Sequence, residues 1–268
     1  GRTHQTLSPR SETLGEALCV LFGVASAEDA RLVVQHTPTV PFGAPCVYPQ
    51  TPGIPPYHNN AVWPFVQGYW ALAAAHTGNE ESVMESIAAI YRPAALFLTN
   101  KENFVAENGD YAGTQVNSSN MLWSLSGSLG LVYKVLFGMQ FEAERLVFKP
   151  FVPQALQGAR KLTNFRYRGA VLDVDMTGFG NEIKTITLDG QPLAESSGLA
   201  ALNGQPTGFW RDGVLRLGMP EDFIAAYFTQ AVAPDPAQGQ AMWGWMQSSA
   251  AVAIGRFSLF MSRNPRSQ

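Results

Sequence analysis

Apolar residues recur at helical spacing through the first half of the chain and at a spacing of two through much of the second. Leu14, Ala17, Leu18, Leu21 and Phe22 form the first helical set, spaced so that they line one face. Ser8-Pro9 offers a cap followed by proline at a first helical position, and Gly23 helps end the helix. Ala27 to His36 reads as a short partner helix. Trp63-Pro64 opens the next, which runs through Tyr69 and Leu72 to about His76, and Thr77-Gly78-Asn79 makes a tight turn. Glu80 to about Leu98 is another helix, which Pro93 is expected to kink or end early. Met121 to about Phe137 carries Leu122, Leu125, Leu129, Val132, Val135 and Leu136 as its apolar set, and Gly138 closes it.

Two stretches interrupt this pattern. Thr37 to Asn60 is a long loop carrying Pro38, Pro41, Pro45, Pro49, Pro52, Pro55 and Pro56. A loop of that length inside a domain is usually functional or disordered. A second, polar loop with Gly109 and Gly113 precedes Met121.

From Leu146 the period changes. Leu146 to Pro150 reads as a strand, and Phe165–Arg168 with Val171–Asp175 as a hairpin pair around Gly169. Ile183 to Leu188 alternates apolar and polar, and Asp189-Gly190 is a strong turn signal. Gly213 to Leu217 repeats the style. The expected organisation is therefore a helical part over 1–145, an all-β unit over 146–230 of sandwich type, and a remainder over 231–268. That remainder has Pro234, Pro236 and Gly239 like a linker, then an apolar run from Ala250 to Met261 that reads as a docking tail or the start of a further β module.

Composition narrows the function classes. Hydrophobic residues make up 46% of the 268 and charged residues only 15%, below the usual quarter, so much of the chain is expected to be buried. The net charge of -3 gives no electrostatic footprint for nucleic acid. No apolar run is long enough to span a membrane. Cys19 and Cys46 are the two cysteines, too few for a disulfide framework; neither has metal-ligand spacing around it, and no cofactor motif is present. Aromatics at 11%, with six Trp, suit a large core first and sugar binding second.

The unusual residues lie in the loops between helices. One segment is Pro56-Tyr57-His58-Asn59-Asn60-Ala61-Val62-Trp63-Pro64; the other runs from Asn100 to Tyr111, followed by Met121-Leu122-Trp123-Ser124. Glycoside hydrolysis needs two carboxyl groups on opposite sides of the scissile bond. Aromatic faces stack on the CH groups of a sugar, and amide or imidazole groups bond its hydroxyls. The loops supply Glu102, Glu107 and Asp110 as carboxylates, Tyr57, Trp63, Tyr111 and Trp123 as faces, and His58, Asn59, Asn60 and Asn117 as polar partners. The plainer alternatives weigh against each singly. Loop carboxylates are usually solvated, His58 suits a surface position, Trp63 before proline can staple a helix start, and Trp123 can be core.

The segment from Tyr57 to Pro64 resembles the YHNG-x-VWP stretch of several six-hairpin glycosidases and of related debranching enzymes and phosphorylases. Glu102-Asn103-Phe104, then Gly109, then Trp123-Ser124 is similar to a pattern in the glucoamylase-like and processing-glucosidase-like clans. There a Glu followed by Gln and an aromatic, then a Thr-Gly turn, precedes Trp-Ser on the last inner helix. The resemblance covers the organisation from about Leu7 to Phe151. It departs at Asn60, where the family often has Gly, and in the spacing from Gly109 to Trp123, which keeps Glu107 as a rival to Glu102.

What the resemblance implies is a mostly α, then β architecture: the last helices of an (α/α)6 toroid, incomplete in this chain, followed by a β-sandwich-like domain. It further implies a glycoside hydrolase module acting on an oligo- or polysaccharide by inversion, with Glu102 as general base and the general acid outside this chain. Trp63 and His58 take positions that lie near the sugar in related enzymes, and by their chemistry Tyr57, Asn59, Asn60, Asp110, Tyr111 and Trp123 are expected to join them in binding it. The remaining barrel helices would precede Gly1, so the expected partners are the missing N-terminal part of the barrel or a second copy. Many relatives are exported, which implies a periplasmic or secreted location. A sugar phosphorylase, a non-catalytic carbohydrate-binding module and a helical domain with no sugar role are the alternatives.

Overall fold

A computed structural model describes residues 8–114, 116–142, 145–168, 170–193, 200–202, 205–211, 214–218 and 254–262. The chain divides into two units, Gly1–Val135 and Leu136–Gln268. Gly169, Gly213, Pro234, Pro236 and Gly239, with residues 250–253 of the expected last strand, lie outside the described residues.

The first unit begins with β1 (Ser11–Glu12) and α1 (Thr13–Leu21). Ser8-Pro9 does not start the helix. Residues 11 and 12 are drawn into a pair with β2 (Val47–Tyr48), so the helix starts after an extended Glu12 that makes no side-chain cap bond. The Thr13 hydroxyl donates to the Pro45 carbonyl at 2.6 Å. α2 (Ala27–His36) follows, capped by Ser26, whose hydroxyl accepts the Asp29 N–H at 3.1 Å; serine is among the preferred capping residues. After the proline-rich loop come β3 (Ala61–Val62) and α3 (Pro64–Thr77), with Pro64 in the first turn and Gly78 at φ 80° ending the helix.

α3 is buried over most of its circumference, through Val66, Gln67, Gly68, Trp70, Ala71, Ala73 and Ala74. A helix apolar nearly all round belongs in the middle of its neighbours, and α3 packs against α1, α2, α4 (Glu80–Phe97) and α5 (Leu122–Gly130). Its one buried amide is satisfied: Gln67 donates to the Ala44 carbonyl at 2.8 Å and accepts the Ala44 N–H at 3.3 Å. That pair ties the proline-rich loop to the core. α4 runs past Pro93 to Phe97 instead of ending early. β4 (Phe104–Val105) pairs with β3. α5 meets α3 backbone to backbone, since a Cβ built on Gly68 would lie 2.8 Å from the Gly127 Cα, and one on Gly127 would run into the Pro64 carbonyl. The expected helix to Phe137 is α only to Gly130, then a single π-helical turn over Leu131–Leu136.

The second unit is built of strands β5 (Met139–Phe141), β6 (Arg145–Phe148), β7 (Arg160–Tyr167), β8 (Ala170–Gly178), β9 (Glu182–Leu188), β10 (Gln191–Leu193), β11 (Ala200–Leu202), β12 (Gln205–Arg211), β13 (Val214–Gly218) and β14 (Ile254–Ser262). One sheet runs β10-β9-β14-β8-β7 and another β11-β12-β13-β6-β5. All pairs are antiparallel except β14 with β8. Asp189 and Gly190 both take positive φ, 49° and 79°, as the two-residue turn from β9 to β10 requires. Ile183 and Ile186 are both buried although three apart, because the β9–β14 register shifts between Phe260 and Met261.

The expected fold class is overturned. The described helices are five, gathered about α3, and they do not form the end of an (α/α)6 toroid. The strands pair as short ladders and do not compose a sandwich. Helical periodicity predicts which residues face a core but not how helices are arranged around it. Period-two patterning likewise predicts a strand with one buried face, common to open sheets and sandwiches alike. The reasoning from an open barrel side to missing barrel helices loses its basis with the toroid. None of the described helices is long and apolar enough to cross a membrane.

Candidate functional site

Two segments far apart in sequence meet at the short β3–β4 pair. Ala61 pairs with Val105 and Val62 with Phe104, and the Ala106 N–H donates to the Asn60 carbonyl at 3.0 Å. All of Ala61, Val62, Phe104, Val105 and Ala106 are buried, so apolar burial locks the pairing. It carries Tyr57, His58 and Trp63 on one side and Glu102 on the other into a single neighbourhood.

Glu102 is 5% exposed, the one buried carboxylate among the described residues. A buried carboxylate costs several kcal/mol unless hydrogen bonds replace its water. Both oxygens are supplied: the Tyr57 hydroxyl donates to Oε1 at 3.0 Å and the Ser118 N–H donates to Oε2 at 3.0 Å. The Glu102 N–H in turn donates to the Ser118 carbonyl at 2.9 Å. The bond to Glu102 is also the main reason the Tyr57 phenol is raised above its ordinary range, with desolvation and the Glu102 charge adding in the same direction.

Aromatic rings surround this pair. The Trp63 indole N–H donates to the Tyr57 carbonyl at 2.6 Å, and its ring meets Tyr57 edge-on at 5.1 Å. His58 stacks on Trp63 at 4.9 Å with an interplanar angle of 19°. Trp123, at the start of α5, meets Trp63 at 5.4 Å and stacks on Phe65 at 5.0 Å. The glycine contact between α3 and α5 sets that approach. Trp123 remains 42% exposed and His58 is also exposed, so the cluster offers aromatic surface to solvent beside a held carboxylate.

Other residues singled out from sequence have different surroundings. Glu107 is exposed. Asp110 is exposed and accepts the Ala112 N–H at 2.8 Å, closing its own turn. Tyr111 packs on Phe97 at 4.5 Å and under the Lys101 ammonium at 4.2 Å. Asn59 braces its own loop, accepting from the Thr51 N–H and donating to the Thr51 and Ile54 carbonyls. Asn60 sits at φ 51° with its side-chain oxygen buried and unpartnered. Asn117 spends its amide hydrogens on loop partners, among them the Asn103 carbonyl at 2.6 Å.

Phe65 and Ser118 belong to the site and were not anticipated. Phe65 directly follows the Trp63-Pro64 pair, and that adjacency was the available signal. Ser118 contributes a backbone N–H, for which side-chain chemistry gives no signal. Beneath the site a cavity of about 10 Å³ lies against Phe104, Ser124 and Ser128, room for a single water and far too small for a sugar ring. Among the described residues no group of His, Cys, Asp and Glu side chains is gathered to hold a metal ion.

No known protein-family model matches the chain, and no curated protein is significantly similar to it.

Proposed function

We propose that the chain carries the water-activating side of a glycoside hydrolase acting on an oligo- or polysaccharide, with Glu102 as the general base of an inverting mechanism. The observation that carries this reading is the buried Glu102 carboxylate, gripped by Tyr57 and Ser118 beside exposed aromatic surface. A base must be held at hydrogen-bond reach of the water it deprotonates. Two donors fix the carboxylate plane and leave its remaining lone pairs to take a proton. Trp123 and His58 supply flat faces for sugar CH groups, and the similarity of the Tyr57–Pro64 and Glu102–Phe104 stretches to glycosidase motifs agrees with this assignment. The general acid comes from outside this site, since Glu107 and Asp110 are exposed and Asp110 closes its own turn.

Hydrolysis is favoured over phosphorolysis by the state of Lys101. That ammonium, one candidate cation for a phosphate nucleophile, donates to Ser119 at 2.7 Å and rests on the Tyr111 ring.

The test is the full-length gene product incubated with a panel of oligosaccharides, followed by proton NMR of the first-formed anomer. The expected result is hydrolysis with inversion in the wild type and none in Glu102→Gln at unchanged fold. Equal hydrolysis by Glu102→Gln, or retention of configuration, would overturn the assignment.

A further inference from the structure

The loop between α4 and α5 is closed by a series of side-chain bonds in place of a strand ladder. The Thr99 hydroxyl meets the Asn120 side chain at 2.7 Å, Lys101 meets Ser119 at 2.7 Å, and Glu102 takes the Ser118 N–H at 3.0 Å. Met121 donates to the Asn100 carbonyl at 2.8 Å and Asn103 donates through its side chain to the Val116 carbonyl at 3.1 Å. One residue has several partners in this arrangement. The two hydrogens of the Asn117 carboxamide are shared among the Asn103 carbonyl at 2.6 Å, the Thr114 hydroxyl at 3.0 Å and the Tyr111 carbonyl at 3.1 Å.

The sequence neighbours of these partners give the arrangement its meaning. Asn103 directly follows Glu102, and Asn117 directly precedes Ser118. The Asn117 amide therefore joins the backbone beside the carboxylate to the backbone beside the N–H that holds it. Asn103 is fully buried, so one end of the clasp is anchored in the core, while Ser118 is exposed and meets Glu102 through its backbone alone, its N–H on Oε2 and its carbonyl under the Glu102 N–H.

We infer that Asn117 is a positioning residue for Glu102: it holds its own end of the loop against Asn103 so that the Ser118 N–H stays directed at the carboxylate. Its catalytic consequence rests on the proposed role of Glu102; the clasp itself does not. Without the amide hydrogens the loop keeps only the Asn103 side chain on the Val116 carbonyl and the Glu102 N–H on the Ser118 carbonyl, so the Ser118 N–H is aimed less closely at Glu102 than the Tyr57 hydroxyl is. A carboxylate with one donor loosened rotates more freely, and a base out of line with its water loses turnover more than substrate binding.

The experiment compares the Ser118 amide resonance by nitrogen-15 correlated NMR on the whole chain at one pH in the wild type, Glu102→Gln, Asn117→Ala and the double variant. In the wild-type background Glu102→Gln shifts this resonance, because the acceptor loses its charge. In the Asn117→Ala background the same substitution shifts it by about half as much or less, and with an active gene product Asn117→Ala lowers kcat about tenfold while KM stays within about twofold. If Asn117→Ala does not fold, Thr114→Val, which removes one acceptor of the clasp, gives a smaller loss of the same signal. A shift of wild-type size in folded Asn117→Ala overturns the inference whatever activity does. A lost shift in Asn117→Ala together with full hydrolysis by Glu102→Gln leaves the clasp standing and removes Glu102 from the chemistry.

Discussion

The Tyr57 hydroxyl donates to Glu102 Oε1 at 3.0 Å across the β3–β4 pair, joining residues that lie 45 apart in sequence. Each partner changes the other. Tyr57 occupies one carboxylate oxygen, and the carboxylate, by accepting that proton, keeps the phenol protonated above its ordinary range. A spectrophotometric titration of the tyrosines checks this. Two phenols should ionise above the usual range near about 10, Tyr57 and the Tyr91 that burial raises, and Glu102→Gln should return Tyr57 alone. The sign for stability follows: a phenol whose folded pKa is raised contributes in full below its unfolded pKa and loses that contribution as pH rises through the folded value. The stabilisation is thus present at neutral pH and lost in strong alkali. An unchanged titration in Glu102→Gln would show that the bond does not form in solution.

Cys46 reports on the floor of the same site. Its N–H donates to the Ala61 carbonyl at 2.9 Å, and its side chain packs on Ala61, Trp63 and Val66. Burial pushes the thiol up to about 12 from 9.0; the Trp63 backbone opposes this and the Glu12 charge adds to it. A thiol reagent at mildly alkaline pH should label the half-buried Cys46 much more slowly in the folded than in the unfolded chain, because the thiolate is the nucleophile. The sign is that of a raised pKa: full stability below about 9, lost between there and about 12. Rapid labelling of Cys46 in the folded chain would contradict the packing.

The α3–α5 contact is a second structural test. A Cβ on Gly127 has nowhere to go but the Pro64 carbonyl and the Phe65 Cα, the latter at 3.3 Å. Gly127→Ala should therefore destabilise by about 1–3 kcal/mol, the usual cost of overpacking, against the small gain alanine brings to a free helix. Thermal unfolding measures it, and Trp fluorescence should change as Trp123 moves from Phe65. An equal or higher melting temperature would mean that the helices do not approach so closely.

The helices were readable where local signals and spacing agreed, as at Pro64 opening α3 and Gly78 closing it. α1 was misjudged at its start because a tertiary pair, β1 with β2, outweighed a local proline signal. The arrangement of elements was not readable, since α3 earns its central place by touching four other helices and β14 its place between β8 and β9 through contacts far along the chain. At the candidate site the residue types were legible and their meeting was not. Tyr57, Trp63, Glu102 and Trp123 could be chosen by chemistry, but Glu107 has the same chemistry and is exposed, while Asp110 and Asn59 bond within their own loops. The register of two buried two-residue strands separates these groups.

The most direct test of the account is kcat/KM for the full-length gene product beside its Glu102→Gln variant. If Glu102 deprotonates water, the variant loses about 10²–10⁴ in rate while the far-ultraviolet spectrum stays the same. A variant that keeps the rate would show that Glu102 is a buried structural carboxylate and that the base lies elsewhere.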